Sequence, residues 1–217
     1  MKGADGAMHP VDMMTAIPPA GVAMLWKLVT GLRPNRTLET GCAYGVSSLA
    51  ILGALESNGK GHHTAIDPFQ NAIWKGIGTE NVRSLGLASR FRCIMEPSGL
   101  AMAKALANNE RYEMIFIDGD HLYDGVMIDI YYAKRLLVNG GIMVLDDAPM
   151  RSVRAACSWV ETNLPFTRLK VALPFYTMNE QSGGVPDSPA QRFAVFRKEQ
   201  ADDRAWTHFQ PFDGGGR

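Results

Sequence analysis

The sequence has few of the features that mark secreted, membrane or disulfide-stabilised proteins. Only three of its 217 residues are cysteine, and their scattered spacing and odd number fit reduced thiols rather than a disulfide framework or a zinc site. The longest apolar run near the N-terminus, residues 20–29, is broken by Lys27 and is far shorter than the roughly 20 residues that span a bilayer. We therefore expect a cytoplasmic protein without a membrane anchor or a cleavable signal.

The chain also lacks an excess of either charge. Its 22 Lys plus Arg residues balance its 22 Asp plus Glu residues, and it contains no long basic run. A protein that grips nucleic acid through phosphates needs a surplus of basic side chains on one face, so we expect no nucleic-acid partner. The balance is uneven along the chain, however, because residues 110–147 contain eight acidic and three basic residues. The neutral total hides an acidic segment.

The arrangement of apolar residues predicts a single α/β domain. Short β-branched runs alternate with longer helical patterns, which is typical of βαβ units and a mostly parallel sheet. The predicted strands are Thr37–Thr40, His63–Asp67, Phe91–Met95, Met114–Asp118 and Gly141–Asp146, and the predicted helices are Pro18–Leu32, 46–56, 71–86, 98–108, 123–138 and Arg151–Asn163. Two later β-like stretches, Phe166–Leu173 and Arg192–Arg197, are expected to add antiparallel pairing at the sheet edge.

Together these elements predict a doubly wound, mostly parallel, seven-stranded sheet with an antiparallel edge strand. We expect a flexible N-terminal arm over residues 1–17, one domain over 18–200 and a C-terminal tail over 201–217. The loop Pro174–Gln191 is longer than an inert connection, so it is either a lid or simply mobile.

A glycine-containing turn follows the first predicted strand, in the stretch LETGCAYGVS. Gly41 and Gly45 permit a sharp turn and close approach of the backbone to a ligand, although a plain tight turn would also explain them. Their G-x-x-x-G spacing differs from the G-x-G-x-x-G of dinucleotide-binding turns, so no pyrophosphate is expected.

An acidic residue at the end of the second predicted strand adds to this pattern. Asp67 follows Gly45 by 22 positions, and an acid at about that distance commonly binds the hydroxyls of a ribose. Its alternative role is to cap the turn before Pro68. Taken with the glycine spacing, Asp67 predicts a nucleoside ligand that carries no diphosphate.

These residues carry a family resemblance that extends over roughly residues 38–163. The stretches LETGCAYGVS, AIDPF, FIDGDHLYDG and GGIMVLDDA resemble class I S-adenosylmethionine-dependent methyltransferases, and more narrowly the small-molecule O-methyltransferases related to catechol O-methyltransferase and the macrolide sugar O-methyltransferases. The resemblance implies S-adenosylmethionine as donor, with its ribose on Asp67. It also implies that the donor's methionine part contacts Glu39, Gly41, Tyr44 and Gly45, and that its adenine lies near Glu96 or Ser98.

Three acids stand at the ends of two strands that we expect to be neighbours. Asp118 ends the fourth predicted strand, and Asp146 and Asp147 end the fifth. Neighbouring strands lie about 4.8 Å apart, and three close carboxylates without a cation would force at least one to stay protonated. The trio therefore predicts a site for Mg²⁺ or another divalent cation. In the alternative, Asp147 caps the helix that follows and Asp118 binds only the donor's amino group.

His121 lies three positions after Asp118 and is expected in a loop over the same crevice. A histidine that titrates near neutrality could accept a proton from a hydroxyl as methyl transfer begins, so we predict His121 and Asp118 as catalytic residues. A solvated loop histidine is the alternative. The resemblance departs here, because catechol O-methyltransferase has a lysine at the corresponding place.

The sequence thus predicts a metal-assisted O-methyltransferase acting on a hydroxyl group of a small molecule. Its main rival is a metal-independent small-molecule methyltransferase; a nicotinamide-dependent oxidoreductase and a non-catalytic binding protein rank lower, because the three-glycine turn is missing and the clustered acids would serve no purpose. The Met-rich N-terminal segment is compatible with a homodimer. The identity of the acceptor cannot be read from the sequence.

Overall fold

A computed structural model describes residues 1–171 and 192–214 of the chain. The strands are β1 Arg36–Thr40, β2 His62–Ile66, β3 Phe91–Ile94, β4 Tyr112–Ile117, β5 Leu137–Leu145, β6 Phe166–Arg168 and β7 Ala194–Lys198. The α-helices are α1 Pro19–Leu32, α2 Val46–Ser57, α3 Ile77–Ser84, α4 Ser98–Ala107, α5 Tyr123–Leu136 and α6 Arg151–Asn163. The predicted loop Pro174–Gln191 lies outside the described residues.

The seven strands form one sheet in the order β3-β2-β1-β4-β5-β7-β6. All neighbouring pairs from β3 through β5 are parallel, whereas β7 is antiparallel to both β5 and β6. This confirms the predicted doubly wound fold with antiparallel pairing at one side of the sheet. The strand order reverses between β1 and β4, and ligands of open α/β sheets bind at such a reversal, outside the carboxyl ends of the strands.

Two apolar cores lie on opposite faces of the sheet. Helices α1 and α2 cover one face with buried residues such as Leu25 and Ile51. Helices α4, α5 and α6 cover the other with residues such as Met102, Ile130 and Val160. Because both faces are covered, β4 and most of β5 are apolar, whereas β1 and β2 also carry buried polar side chains such as Glu39 and His63.

The structure differs from the predicted boundaries in three main places. Strand β5 begins at Leu137, four residues before the predicted Gly141, and includes the last two residues of the predicted helix 123–138. The helix expected at 71–86 begins only at Ile77, because Lys75 and Gly76 adopt left-handed backbone conformations that end the preceding turns. Of the stretch expected at Phe166–Leu173, the structure describes residues 166–171, and within these the strand covers Phe166–Arg168, although the amide of Leu169 still donates to the carbonyl of Val195.

The C-terminal tail contacts the end of helix α6. In the tail, the amide of Gln210 donates to the side chain of Asn163, whose own amide donates to the Gln210 carbonyl. Cys42, Cys93 and Cys157 are free thiols. Within residues 1–171 and 192–214, none of the helices is long and apolar enough to cross a lipid bilayer.

Candidate active site

Backbone hydrogen bonds bring four strand ends together where the sheet order reverses. The amide of Gly41 donates to Ile66 at the end of β2, and the amide of Asp118 donates to Thr40 at the end of β1. The amide of Asp146 in turn donates to Ile117 at the end of β4. The glycine turn and the acidic segment therefore share one edge of the sheet, as the sequence predicts.

The glycine turn is packed against this edge so closely that it requires glycine. At Gly41 φ is +82°, and a Cβ would lie 2.0 Å from the carbonyl oxygen of Asp118. At Gly45 φ is also +82°, and a Cβ would lie 3.0 Å from the Cα of Gly78. L-residues other than glycine rarely adopt such backbone angles. Both glycines are thus needed for the turn itself, whatever ligand approaches it.

Asp67 holds the turn in place. One of its carboxylate oxygens accepts hydrogen bonds from the amides of Cys42 and Ala43 at 3.1 and 2.9 Å, and the other accepts from the amide of Phe69 at 2.8 Å. The side-chain amide of Gln70 joins Asp67 to the Ala43 carbonyl. The first oxygen thus accepts three hydrogen bonds, whereas the second accepts one and has a lone pair left for a further donor such as a ribose hydroxyl. The ribose role of Asp67 stays a prediction.

Tyr44 is the side chain of the turn that reaches the N-terminal arm. Its hydroxyl accepts a hydrogen bond from the amide of Asp12 at 3.3 Å, and its carbonyl accepts one from the side chain of Asn81 at 3.0 Å. The ring packs edge to face against Trp74, with 5.2 Å between centroids. Trp74 thus lies beside the glycine turn.

Glu39 is fully buried behind the turn, on the side of the sheet covered by α2. One carboxylate oxygen accepts a hydrogen bond from Ser48 and lies 3.2 Å from Nε2 of His63. The other oxygen has no hydrogen-bond partner among the described residues. Glu39 therefore belongs to a buried polar cluster with Ser48 and His63 behind the glycine turn. Its direct contact with the donor stays a prediction.

The two residues predicted near the adenine have different surroundings. Glu96 forms an ion pair with Lys104 at 2.8 Å and is partly exposed. Ser98 begins α4 and hydrogen-bonds to Asp129, a buried carboxyl that also accepts from Thr40 at 2.8 Å. Burial raises the pKa of Asp129, while those two hydrogen bonds oppose the rise. Ser98 is therefore tied to the sheet edge, whereas Glu96 is on the rim.

The three acids predicted to hold a cation have different partners at the ends of β4 and β5. Nε2 of His121 lies 2.9 Å from a carboxylate oxygen of Asp147 and 3.7 Å from one of Asp118. The carboxylate of Asp146 is fully buried and is bound by both Nε and Nη2 of Arg192, at 2.7 and 2.9 Å. Asp118 and Asp147 thus form a group with His121, whereas Asp146 is paired with Arg192, and the role of the three acids as cation ligands stays a prediction.

Mutual interactions shift the pKa values within this group. Contacts with the carboxylates of Asp118 and Asp147 raise the pKa of His121 to about 10. Burial raises the pKa of Asp118 to about 7, although its contact with His121 opposes the rise. The contact with His121 lowers the pKa of Asp147. The expectation that His121 titrates near neutrality is therefore wrong for the protein in this state, because two carboxylates stabilise the imidazolium.

The group has the composition of a divalent-cation site. One oxygen of Asp118, one of Asp147 and a ring nitrogen of His121 all lie within 4.8 Å of one another. The same Nε2 of His121 is buried and has no well-directed hydrogen bond among the described residues, despite its short distance to Asp147. Carboxylate oxygens and imidazole are suitable ligands for such an ion. The side chains present therefore fit a divalent cation, with His121 holding a proton between the carboxylates in its place.

Two cationic side chains also offset the electrostatic repulsion expected among the three acids. His121 and Arg192 each face two of these carboxylates. Sequence analysis missed Arg192, because nothing in its local pattern links it to an acid 46 residues earlier. It also missed Ser152, whose hydroxyl donates to the carbonyl of His121 at 2.6 Å and fixes the loop against α6.

The shift at His121 predicts a dependence of stability on pH. Its pKa rises from an ordinary 6.5 to about 10 on folding, so its stabilising effect is complete below about pH 6.5 and is lost as the pH rises through about 10. The side chain is 35% exposed, and screening by water reduces the effect to roughly 1–2 kcal/mol.

Denaturant unfolding in EDTA at several pH values checks this prediction. The difference in free energy of unfolding between the wild type and His121→Asn should shrink from near-neutral to alkaline pH. A difference that stays constant over that range would show that His121 is not held as an imidazolium.

Comparisons with known proteins agree with this fold. A sequence model of the family described as "Methyltransferase domain" matches residues 38–148. A caffeoyl-CoA O-methyltransferase of Stellaria longipes is 28% identical over 115 residues, which are 52% of this chain and 46% of that protein. The aligned region thus spans less than half of that relative.

Two solved structures show the likeness in three dimensions. The O-methyltransferase TomG from Streptomyces achromogenes, in complex with SAM, has a TM-score of 0.63 at 15% identity, with 86% of this chain and 82% of that chain covered. An O-methyltransferase from Bacillus cereus in complex with SAH also has a TM-score of 0.63 at 15% identity, with 89% and 94% covered. At these identities the likeness establishes the fold.

Proposed function

The chain belongs to the methyltransferase domain family, and on that premise we propose that it transfers a methyl group from S-adenosylmethionine to a hydroxyl oxygen of a small molecule. The observation that carries this proposal is the meeting of the glycine turn with the Asp118, His121 and Asp147 group at the reversal of the strand order. One part suits a nucleoside donor, and the other can remove a proton from an acceptor.

The charge of the site favours the donor. S-adenosylmethionine carries a sulfonium and an ammonium group, both positive, and acidic side chains at strand ends attract such a ligand. The backbone of Asp118 lies directly against Gly41, where a Cβ would be 2.0 Å from the Asp118 carbonyl oxygen. We place the donor's methionine part on this turn and its ribose near Asp67.

The proposed methyl transfer requires little covalent chemistry from the protein. Holding acceptor and methyl group in line can contribute about 7–11 kcal/mol. His121, once its own proton has passed to solvent, then accepts the proton that leaves the hydroxyl, with Asp118 beside it. As the bond from the acceptor oxygen to the methyl group forms, the bond from the methyl group to the donor sulfur breaks and S-adenosylhomocysteine leaves. We assign the ligands of a divalent cation to Asp118 and Asp147, beside His121. Such a cation, when bound, would favour the ionised hydroxyl and the neutral imidazole through its positive charge.

Donor binding is the first test of this function. We expect isothermal titration calorimetry to detect S-adenosylhomocysteine binding at about micromolar affinity, and NAD to bind far more weakly because the turn lacks the pyrophosphate-binding glycines. The opposite ranking, with NAD binding and S-adenosylhomocysteine not, would favour an oxidoreductase and overturn the proposal. Binding of S-adenosylhomocysteine without methylation of any hydroxyl compound in a broad set would favour a non-catalytic binding protein.

A metal-independent methyltransferase is the second candidate, and one observation favours it. Arg192 and His121 already supply positive charge to the three acids, so the site does not need a cation to be electrostatically stable. If a cation takes part, turnover should fall at least about tenfold in EDTA and recover with Mg²⁺ or Mn²⁺. Unchanged turnover in EDTA would assign proton removal to the protein's own side chains alone.

A further inference from the structure

Arg192 is a charged residue at the site to which the proposed methyl transfer assigns no step. Its guanidinium binds Asp146 through two parallel hydrogen bonds of 2.7 and 2.9 Å, and the carboxylate that it binds is fully buried. Such two-point contacts between arginine and carboxylate fix orientation as well as charge. Asp146 is therefore held rigidly and faces the arginine.

The backbone of Arg192 contacts the same turn. Its carbonyl accepts a hydrogen bond from the amide of Ala148 at 2.8 Å, so Arg192 holds the residues on both sides of Asp147. The turn is closed by the amide of Asp147, which donates to the carboxylate of Asp146 at 2.7 Å. One residue of the segment leading into β7 thus fixes a three-residue turn at the end of β5.

Asp147 needs this support because its backbone is in an unfavourable conformation. Its φ is +51°, in the left-handed region, which Asp adopts more readily than most residues other than glycine but still at an energetic cost. That conformation accompanies the placement of the Asp147 carboxylate 2.9 Å from Nε2 of His121. Without contacts on both sides, the chain would relax toward an ordinary conformation and the carboxylate would move away from His121.

From these contacts we infer that Arg192 is a positioning residue that holds Asp147 in the active site, with Asp146 as its anchor. Asp146 is then a structural carboxylate that is unavailable to a cation, and the cation ligands are Asp118 and Asp147. The inference concerns the geometry of the turn, and it rests on the proposed function only in its consequence for cation binding.

The inference predicts the sign of a change in cation affinity. Mn²⁺ binding is measured by electron paramagnetic resonance in the absence of donor and acceptor. We expect Arg192→Met to weaken binding at least about tenfold, as losses of groups that orient metal ligands commonly do. If Arg192 instead competes with the cation for Asp146, its removal frees a carboxylate and Mn²⁺ binds more tightly, which would overturn the inference. Arg154→Met, at an exposed arginine of α6, is the matched control.

A double variant separates positioning from general structural support. If Arg192 acts through Asp147, Arg192→Met should weaken Mn²⁺ binding no further in the Asp147→Ala background. Additive losses would show that Arg192 acts elsewhere and would count against the inference. Should Arg192→Met not fold, Arg192→Lys serves in its place, because a single ammonium cannot reproduce the two-point contact.

A crystal structure of the Arg192 variant without metal tests the geometry itself. We expect the Asp147 carboxylate to leave His121 and its φ to leave the left-handed region. An unchanged Asp147 would refute the positioning role. The crystal structure tests the role of Arg192 even if the wild type binds no Mn²⁺. That outcome would remove the cation from the proposed function.

Discussion

Replacing Gly41 with alanine is expected to weaken S-adenosylhomocysteine binding by at least about 100-fold. The new Cβ would lie 2.0 Å from the carbonyl oxygen of Asp118, which is backbone and cannot rotate away. The left-handed conformation at Gly41 costs another ~1–2 kcal/mol for a residue with a side chain. Overpacking adds about 1–3 kcal/mol, so the turn and the end of β4 must separate. A factor of 100 in affinity corresponds to about 2.8 kcal/mol, which lies within that total.

The chain offers a matched control for this substitution. Gly31 lies in helix α1, its φ is ordinary, and a Cβ there would meet nothing within 4 Å. Gly31→Ala should leave donor binding unchanged and raise the free energy of unfolding by roughly 0.5–1 kcal/mol, since alanine is the better helix former. Calorimetry and denaturant unfolding measure both variants. Wild-type affinity and stability in Gly41→Ala would refute the close approach of the turn to β4.

Replacing His121 with alanine is expected to lower kcat about 100-fold or more, without a comparable change in donor affinity. The imidazole is the titratable group between the two carboxylates proposed to face the acceptor, and a general base contributes about 10²–10⁴-fold. Donor contacts are proposed on the glycine turn, so S-adenosylhomocysteine should bind within about threefold of the wild type. That split distinguishes loss of proton transfer from general disruption of the site.

The experiment compares kcat and the calorimetric affinity of His121→Ala with those of His208→Ala. His208 is an exposed histidine of the C-terminal tail and should be neutral in both measurements. A fall in kcat of less than threefold in His121→Ala would indicate that His121 is a solvated loop histidine without a catalytic role. The proton acceptor would then have to be Asp118 alone.

Much of the fold could be predicted from the sequence because its signals are local. The order of short β-branched runs and helical patterns gave six of the helices and all seven strands with small errors at their ends. The largest error, the late start of α3 at Ile77, arose where Lys75 takes a left-handed conformation that its residue type does not indicate. Parallel strands also place their carboxyl ends at one edge by geometry alone, so the meeting of Gly41 with Asp118 followed from the predicted sheet.

The residue types of the candidate site could be predicted from the sequence, but which side chains pair with each other could not. The residue types at the strand ends identified Asp118, His121 and Asp147 correctly as one group. Asp146 has the same residue type as its neighbour, but side chains of adjacent residues at a strand end point in different directions. Its partner therefore depends on what lies on that side of the sheet.

The sequence by itself determined the α/β order, the glycine turn and the placement of acids at one sheet edge, because each depends on spacing within a short segment. Tertiary structure alone decided that Arg192, brought beside β5 by the antiparallel entry of β7, binds Asp146. It also decided that two carboxylates lie beside His121 and raise its pKa. The physical reason is that the energy of a charge depends on its distance to other charges and on its burial, and both are set by segments that are remote in sequence.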